Sequence, residues 1–181
     1  MDRSEAYNLL FGTDGTTTVA LAQWVFVSPE HIQQFGNFLS DHRDDTDLVQ
    51  WHSSNQPPIA LANPFHGPPV DKSPTRPLLT DRGVQELQAK LGEQNVRVVL
   101  QQHGDLVHVP PGWMHQVKNL GPCVKLAYDL LKPESAGAYL EVYNLVHQHG
   151  LFAHFHTDYV GLQPFLKKRL MELAQKIKPS D

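Results

Sequence analysis

The sequence has one cysteine, Cys123, among 181 residues. A single thiol excludes an internal disulfide and any zinc site built on several cysteines. Long apolar runs are also missing, and none approaches the roughly 18 residues of a membrane-spanning helix. There is no basic surplus: 15 Lys and Arg against 19 Asp and Glu give a formal net charge of −4. That balance supplies no electrostatic footprint for gripping duplex nucleic acid, while a basic peptide would meet no repulsion. The opening MDRSEAYNLLFG lacks the charged-then-apolar layout of a signal peptide. No segment repeats another.

What is present is a globular composition, 40% hydrophobic and 19% charged, with eleven histidines and fourteen prolines. The length suits one ordinary domain with a real core. Asp2 to Phe11 reads as a strand, followed by a turn over Gly12-Thr13-Asp14-Gly15, and Thr16 to Val27 as a buried strand. Ser28-Pro29-Glu30 has the signature of a helix start, with Ile32, Phe35 and Leu39 on one face behind it. Residues 41–79 are polar and then proline-rich, which predicts a long loop around the core. Thr80 is placed to cap a helix carrying Val84, Leu87 and Leu91. Short strands follow over Val96–Gln101, Leu106–Val109, Trp113–Val117 and Val124–Leu130, then two helices, the last one basic toward its end. Strands first and helices last predict a mainly β fold, an antiparallel barrel or sandwich over residues 1–134, with helices over 135–181 packed on it.

The most informative stretch is GDLVHVPPGWMHQVKNLGPCVKLAYD, Gly104 to Asp129. Gly104, Pro110, Gly112, His115 and Asn119 fit G-x5-P-x-G-x2-H-x3-N. The Pro-Pro-Gly turn reverses the chain and aims the His115 imidazole from the following strand toward the barrel axis. This is the second motif of cupin-type barrels, a double-stranded β-helix or jelly roll. A barrel that keeps the turn and binds no metal carries the same motif.

The wider string PPGWMHQVKNLGPCVKLAYDLLKPE resembles the last barrel strands of JmjC-domain proteins, which are Fe(II)- and 2-oxoglutarate-dependent oxygenases. It is most similar to the branch that demethylates the ninth-position lysine of histone H3. Pro110 to Gly112, His115-Gln116-Val117, Asn119-Leu120, Cys123 to Ala127, Asp129 and Pro133-Glu134 carry the likeness. Gln23-Trp24 with Pro29 to Leu39, and Asn63 to Gly67, extend it weakly. The resemblance implies iron held by two histidines and one carboxylate, with open positions for 2-oxoglutarate and O₂. On it, Asp2 is the carboxylate and His115 the second histidine, and the first histidine aligns ahead of Met1. A barrel without its N-terminal strands, a fragment or a degenerate paralogue is then expected. Asn8 falls inward as a contact to the cosubstrate or a backbone partner. Lys125 is either the basic anchor for the distal carboxylate of 2-oxoglutarate or a solvent-facing lysine. No catalytic side chain is implied beyond the metal site.

The reaction implied is hydroxylation of an N-methyl group on a histone H3 tail or another methylated protein, in the nucleus, with loss of formaldehyde. Two other functions fit the same residues: a non-catalytic JmjC-like scaffold in a chromatin complex, and a JmjC or cupin hydroxylase of another protein. Two other histidine groups compete for metal. His42-x-Asp44 is a rival ligand pair or a solvated helix end, and His147, His149, His154 and His156 are a zinc cluster or exposed histidines.

Overall fold

The computed structural model describes residues 5–12, 19–53, 67–70, 73–148 and 162–177. The elements in order are β1 (Glu5–Gly12), β2 (Ala22–Val27), α1 (Ile32–Asp41), β3 (Val49–Ser53), β4 (Gly67–Val70), β5 (Ser73–Leu79), α2 (Asp81–Leu91), β6 (Val96–Gln101), β7 (Leu106–Val109), β8 (Met114–Asn119), β9 (Cys123–Leu130), α3 (Ala136–Gln148) and α4 (Leu162–Ile177). They form three antiparallel sheets in the orders β7-β1-β9, β6-β2-β8 and β3-β5-β4. Among the described helices none is long and apolar enough to cross a membrane.

The first two sheets face each other across a core of Trp24, Phe26, Val107 and Val109, with Ala6, Trp113 and Val117 against it. The other face of β6-β2-β8 buries Val25, Val27 and Met114 under Ile32, Phe38 and Leu39 of α1 and Val84 and Leu87 of α2. The period of two in a strand therefore sorts β2 cleanly, with Trp24 and Phe26 inward and Val25 and Val27 toward the helices. Val142 of α3 joins that second core and covers Gly112, so α3 packs on the barrel.

Several expectations shift. The strand expected from Thr16 begins at Ala22, and Thr13 to Thr18 lie outside the described residues. Ser28 does not cap α1. A 3-10 turn, Pro29–His31, intervenes, and the Ser28 hydroxyl bonds His31 Nδ1 at 2.8 Å. Thr80 does cap α2, accepting the Gly83 N–H at 3.0 Å.

The largest correction concerns residues 41–79, which hold the three strands of the third sheet instead of a single loop. The prolines fit because, among the described residues, β4 pairs with β5 only between Ser73 and Thr75, leaving the later half of β5 as an edge. Both backbone groups of Leu79 point away from β3, where the Gln116 side chain takes them at 2.8 and 3.0 Å. Strand alternation puts the Pro77 nitrogen on that same outer side, so its missing N–H removes no bond to β3.

On the outer face of β7-β1-β9, Glu5 is 5% exposed. It accepts bonds from Lys132 Nζ at 2.6 Å, Tyr7 at 2.9 Å and Ser135, with His108 Nε2 at 3.2 Å. Burial alone would raise its carboxyl pKa, but the bonds from Lys132, Ser135 and Tyr7 and the Lys132 charge outweigh it and hold the group down to about 2. Tyr7 stacks between His108 and Tyr128, at centroid distances of 4.7 and 5.3 Å.

Candidate active site

The turn that positions His115 is built as its sequence requires. Trp113 N–H reaches the Pro110 carbonyl at 3.3 Å, and Gly112 has φ +79°. Proline followed by a positive-φ glycine is the pattern of a type II turn. A Cβ at Gly112 would stand 2.6 Å from Val142 Cγ2, so the close approach of α3 also needs glycine.

Beyond the turn, β8 places His115 opposite Phe26 of β2, on the inward face. Its ring lies 5.9 Å from the Trp24 ring and 6.1 Å from Phe26. Its Nδ1 lies 3.4 Å from the Trp113 carbonyl. That long contact favours the tautomer with the proton on Nδ1 and a lone pair on Nε2, the form that ligates metals.

Lys125 turns inward from β9. Its Nζ donates to Asn119 Oδ1 at 2.6 Å and stands 5.6 Å from the Trp24 ring centroid. Lys125 is half-buried there, and its bond to Asn119 lies at the exposed edge. Burial pushes its ammonium pKa down, with Cys123 acting in the opposite direction. Among the described residues no carboxylate lies within ion-pair distance of it.

Asn8 is also inward, between Val107 of β7 and Ala127 of β9. Its Oδ1 is buried without a hydrogen-bond partner among the described residues. Such an atom costs about 1–3 kcal/mol, and an orphan of this kind in a folded protein calls for a ligand or a functional reason.

Thus three of the four expected site residues sit on inward strand faces, and His115 and Lys125 both approach Trp24. Asp2, the fourth, lies outside the described residues. The rival pair does not join them. His42 ends α1 and packs its ring 4.6 Å from Phe38, and Asp44 is exposed, which is a solvated helix end. The side chains of His147, His149, His154 and His156 lie outside the described residues. Sequence reasoning missed Gln101, which is wholly buried and bonds Trp24, the Asn8 carbonyl and the Asp105 carbonyl. The only signal was a polar residue closing the apolar run VRVVLQ.

Residues 83–130, from α2 through β9, match the family described as JmjC domain, hydroxylase. Lysine-specific demethylase 3 of Drosophila melanogaster is 38% identical over 61 residues, which is 34% of this chain and 7% of that protein. The aligned part is therefore a small piece of that relative. The JmjC domain is a cupin-type fold, in agreement with the antiparallel sheets found here.

JmjC hydroxylases generally use Fe(II) and 2-oxoglutarate. The described residues fit that pair in part. They supply the His115 imidazole from one sheet and, from the sheet facing it, the partly buried Lys125 ammonium and the unsatisfied Asn8 amide. Among the described residues no group of three His, Cys, Asp or Glu is close enough together to hold a metal.

Proposed function

We propose that this protein is a JmjC-type Fe(II)- and 2-oxoglutarate-dependent oxygenase, or a segment of one, that removes methyl groups from lysine, with a methylated histone H3 tail as substrate and the nucleus as its place of action. The supporting observation is that His115 and Lys125, from facing sheets, both approach the Trp24 ring, with the unsatisfied Asn8 on the same inward face as Lys125. The similarity to a lysine-specific demethylase supports the substrate class.

In this reading His115 and Asp2 are iron ligands. When bound, the iron would supply oxidative chemistry that hydroxylates the N-methyl carbon, and the product releases formaldehyde. The chain's own residues prepare the chamber. His115 would ligate from its inward position on β8, with its Nδ1 3.4 Å from the Trp113 carbonyl. Lys125 presents its partly buried ammonium to the distal carboxylate of 2-oxoglutarate in a charge-assisted pair. Asn8 donates its amide N–H to an oxygen of the cosubstrate. Trp24, Phe26, Val107 and Val109 exclude water from the space behind them.

The test is conversion of 2-oxoglutarate to succinate, with Fe(II) and a histone H3 peptide methylated on its ninth-position lysine, together with Mn(II) binding followed by electron paramagnetic resonance. Turnover that falls about 100-fold in His115→Ala supports the reading. Absence of both turnover and Mn(II) binding sinks it and favours a non-catalytic scaffold in a chromatin complex. Turnover on other proteins but not on methylated histone peptides assigns a different substrate.

A further inference from the structure

Trp24 touches more of the chamber than any role in the core requires. Its indole is 4% exposed. One side lies against His115, at 5.9 Å between ring centroids, and Lys125 Nζ lies 5.6 Å from its centroid. These two groups come from opposite sheets, β8 and β9, and the indole is common to both. Val117 faces Trp24 across the β2–β8 pairing, midway along the strand between His115 and Asn119, the partner of Lys125. Trp24 and Val117 thus form the floor between the imidazole and the ammonium.

Phe26 stacks on the indole at 5.7 Å, and the indole N–H is oriented by Gln101. Gln101 Oε1 accepts the Trp24 Nε1–H at 2.8 Å. Both protons of its amide are committed elsewhere, to the Asn8 carbonyl at 2.8 Å and the Asp105 carbonyl at 3.1 Å. Both bonds are directed at main-chain atoms, so the amide is fixed from the far side before it reaches the indole. Gln101 is fully buried and joins the β6-β2-β8 sheet to β1 of the other sheet. A satisfied buried network of this kind specifies one arrangement.

We propose that Gln101 is a positioning residue that fixes the Trp24 indole, and that this indole sets the placement of Lys125 relative to His115, and with it the fit of a short 2-oxo dicarboxylate lying between them. The claim on the cosubstrate rests on the function proposed above. The claim on Lys125 does not. An indole free to turn about its side-chain torsions no longer supports the ammonium through its face. The Lys125 side chain then samples the chamber and loses part of its preorganisation for a carboxylate.

Gln101→Leu keeps the volume and removes the clamp. The first readout is the ring-current shift of the Lys125 ε-methylene protons, measured by NMR in protein whose circular dichroism matches the wild type. An upfield shift in the wild type that collapses in Gln101→Leu supports the proposal. A shift retained in the folded variant overturns it. The second readout is 2-oxoglutarate affinity by calorimetry with Mn(II) present. About a tenfold loss is expected in Gln101→Leu, and equal affinity overturns the proposal. If the wild type binds no 2-oxoglutarate, the function proposed above fails, and the NMR result alone decides the role of Gln101. Should Gln101→Leu fail to fold, Trp24→Phe serves, since it keeps an aromatic ring but lacks the N–H that Gln101 holds. It should weaken 2-oxoglutarate binding to a similar extent and perturb the Lys125 ε-methylene resonance. An unchanged affinity or an unperturbed resonance overturns the proposal.

Discussion

The two faces of β1 treat polar groups in opposite ways. On the outer face Glu5 has four partners and its carboxyl is held far below the usual range. On the inner face, three residues along, Asn8 leaves a buried oxygen without a partner among the described residues, and the neighbouring Lys125 is desolvated. One strand thus carries a saturated polar cluster on one side and an under-satisfied one on the other. The saturated cluster ties β1 to β7 and to the start of α3, which is a structural task. The under-satisfied cluster retains hydrogen-bonding capacity that a ligand can use.

Substitutions on the two faces should separate stability from binding. The largest effect is expected at Glu5. Glu5→Ala removes the acceptor for Lys132, Tyr7 and Ser135 together and should cost about 3 kcal/mol in urea unfolding. The same carboxyl should dominate the acid limb of the stability curve. Its folded pKa of about 2 lies below the ordinary 4.5. Its contribution is therefore complete above about pH 4.5 and is lost as the pH falls toward 2. Urea midpoints measured across that interval should decline in the wild type and be flatter in Glu5→Gln. Asn8→Leu should behave in the contrary way. Stability should change by less than about 1 kcal/mol, because an unsatisfied polar atom is removed, while 2-oxoglutarate affinity drops about tenfold. A large loss of stability in Asn8→Leu would erase the distinction between the faces. The smallest effect is expected away from both. Arg82 and Asp47 form an exposed pair at 3.6 Å, and Arg82→Ala should alter the urea midpoint by no more than about 0.5 kcal/mol equivalent.

Much of the site was legible because it depends on local chemistry. The Pro-Pro-Gly reversal, the inward aim of His115 and the cap at Thr80 each follow from a few adjacent residues, and the structure reproduces them. The inward placement of Asn8 is what the family resemblance implied. What escaped depends on partners distant in sequence. Gln101 meets Trp24 and Asn8 across separations of 77 and 93 residues, and no pattern in VRVVLQ announces either. Glu5 gave no signal in the sequence, since its partner Ser135 is 130 residues away along the chain. The third sheet was concealed by its prolines. A proline count forbids a strand only if every N–H in it is needed, and among the described residues the pairing of β4 stops at Thr75.

That same edge has a consequence for how the protein meets other chains. Beyond Thr75 the outer rim of β5 has no paired strand among the described residues over Pro77 and Leu79. An open strand rim ordinarily invites another polypeptide to add on, the route to aggregation. Here Pro77 offers no donor, and Gln116 already occupies both groups of Leu79. An incoming strand would find no two successive sites to bind. The residues that first read as breakers of structure act as its guard against self-association.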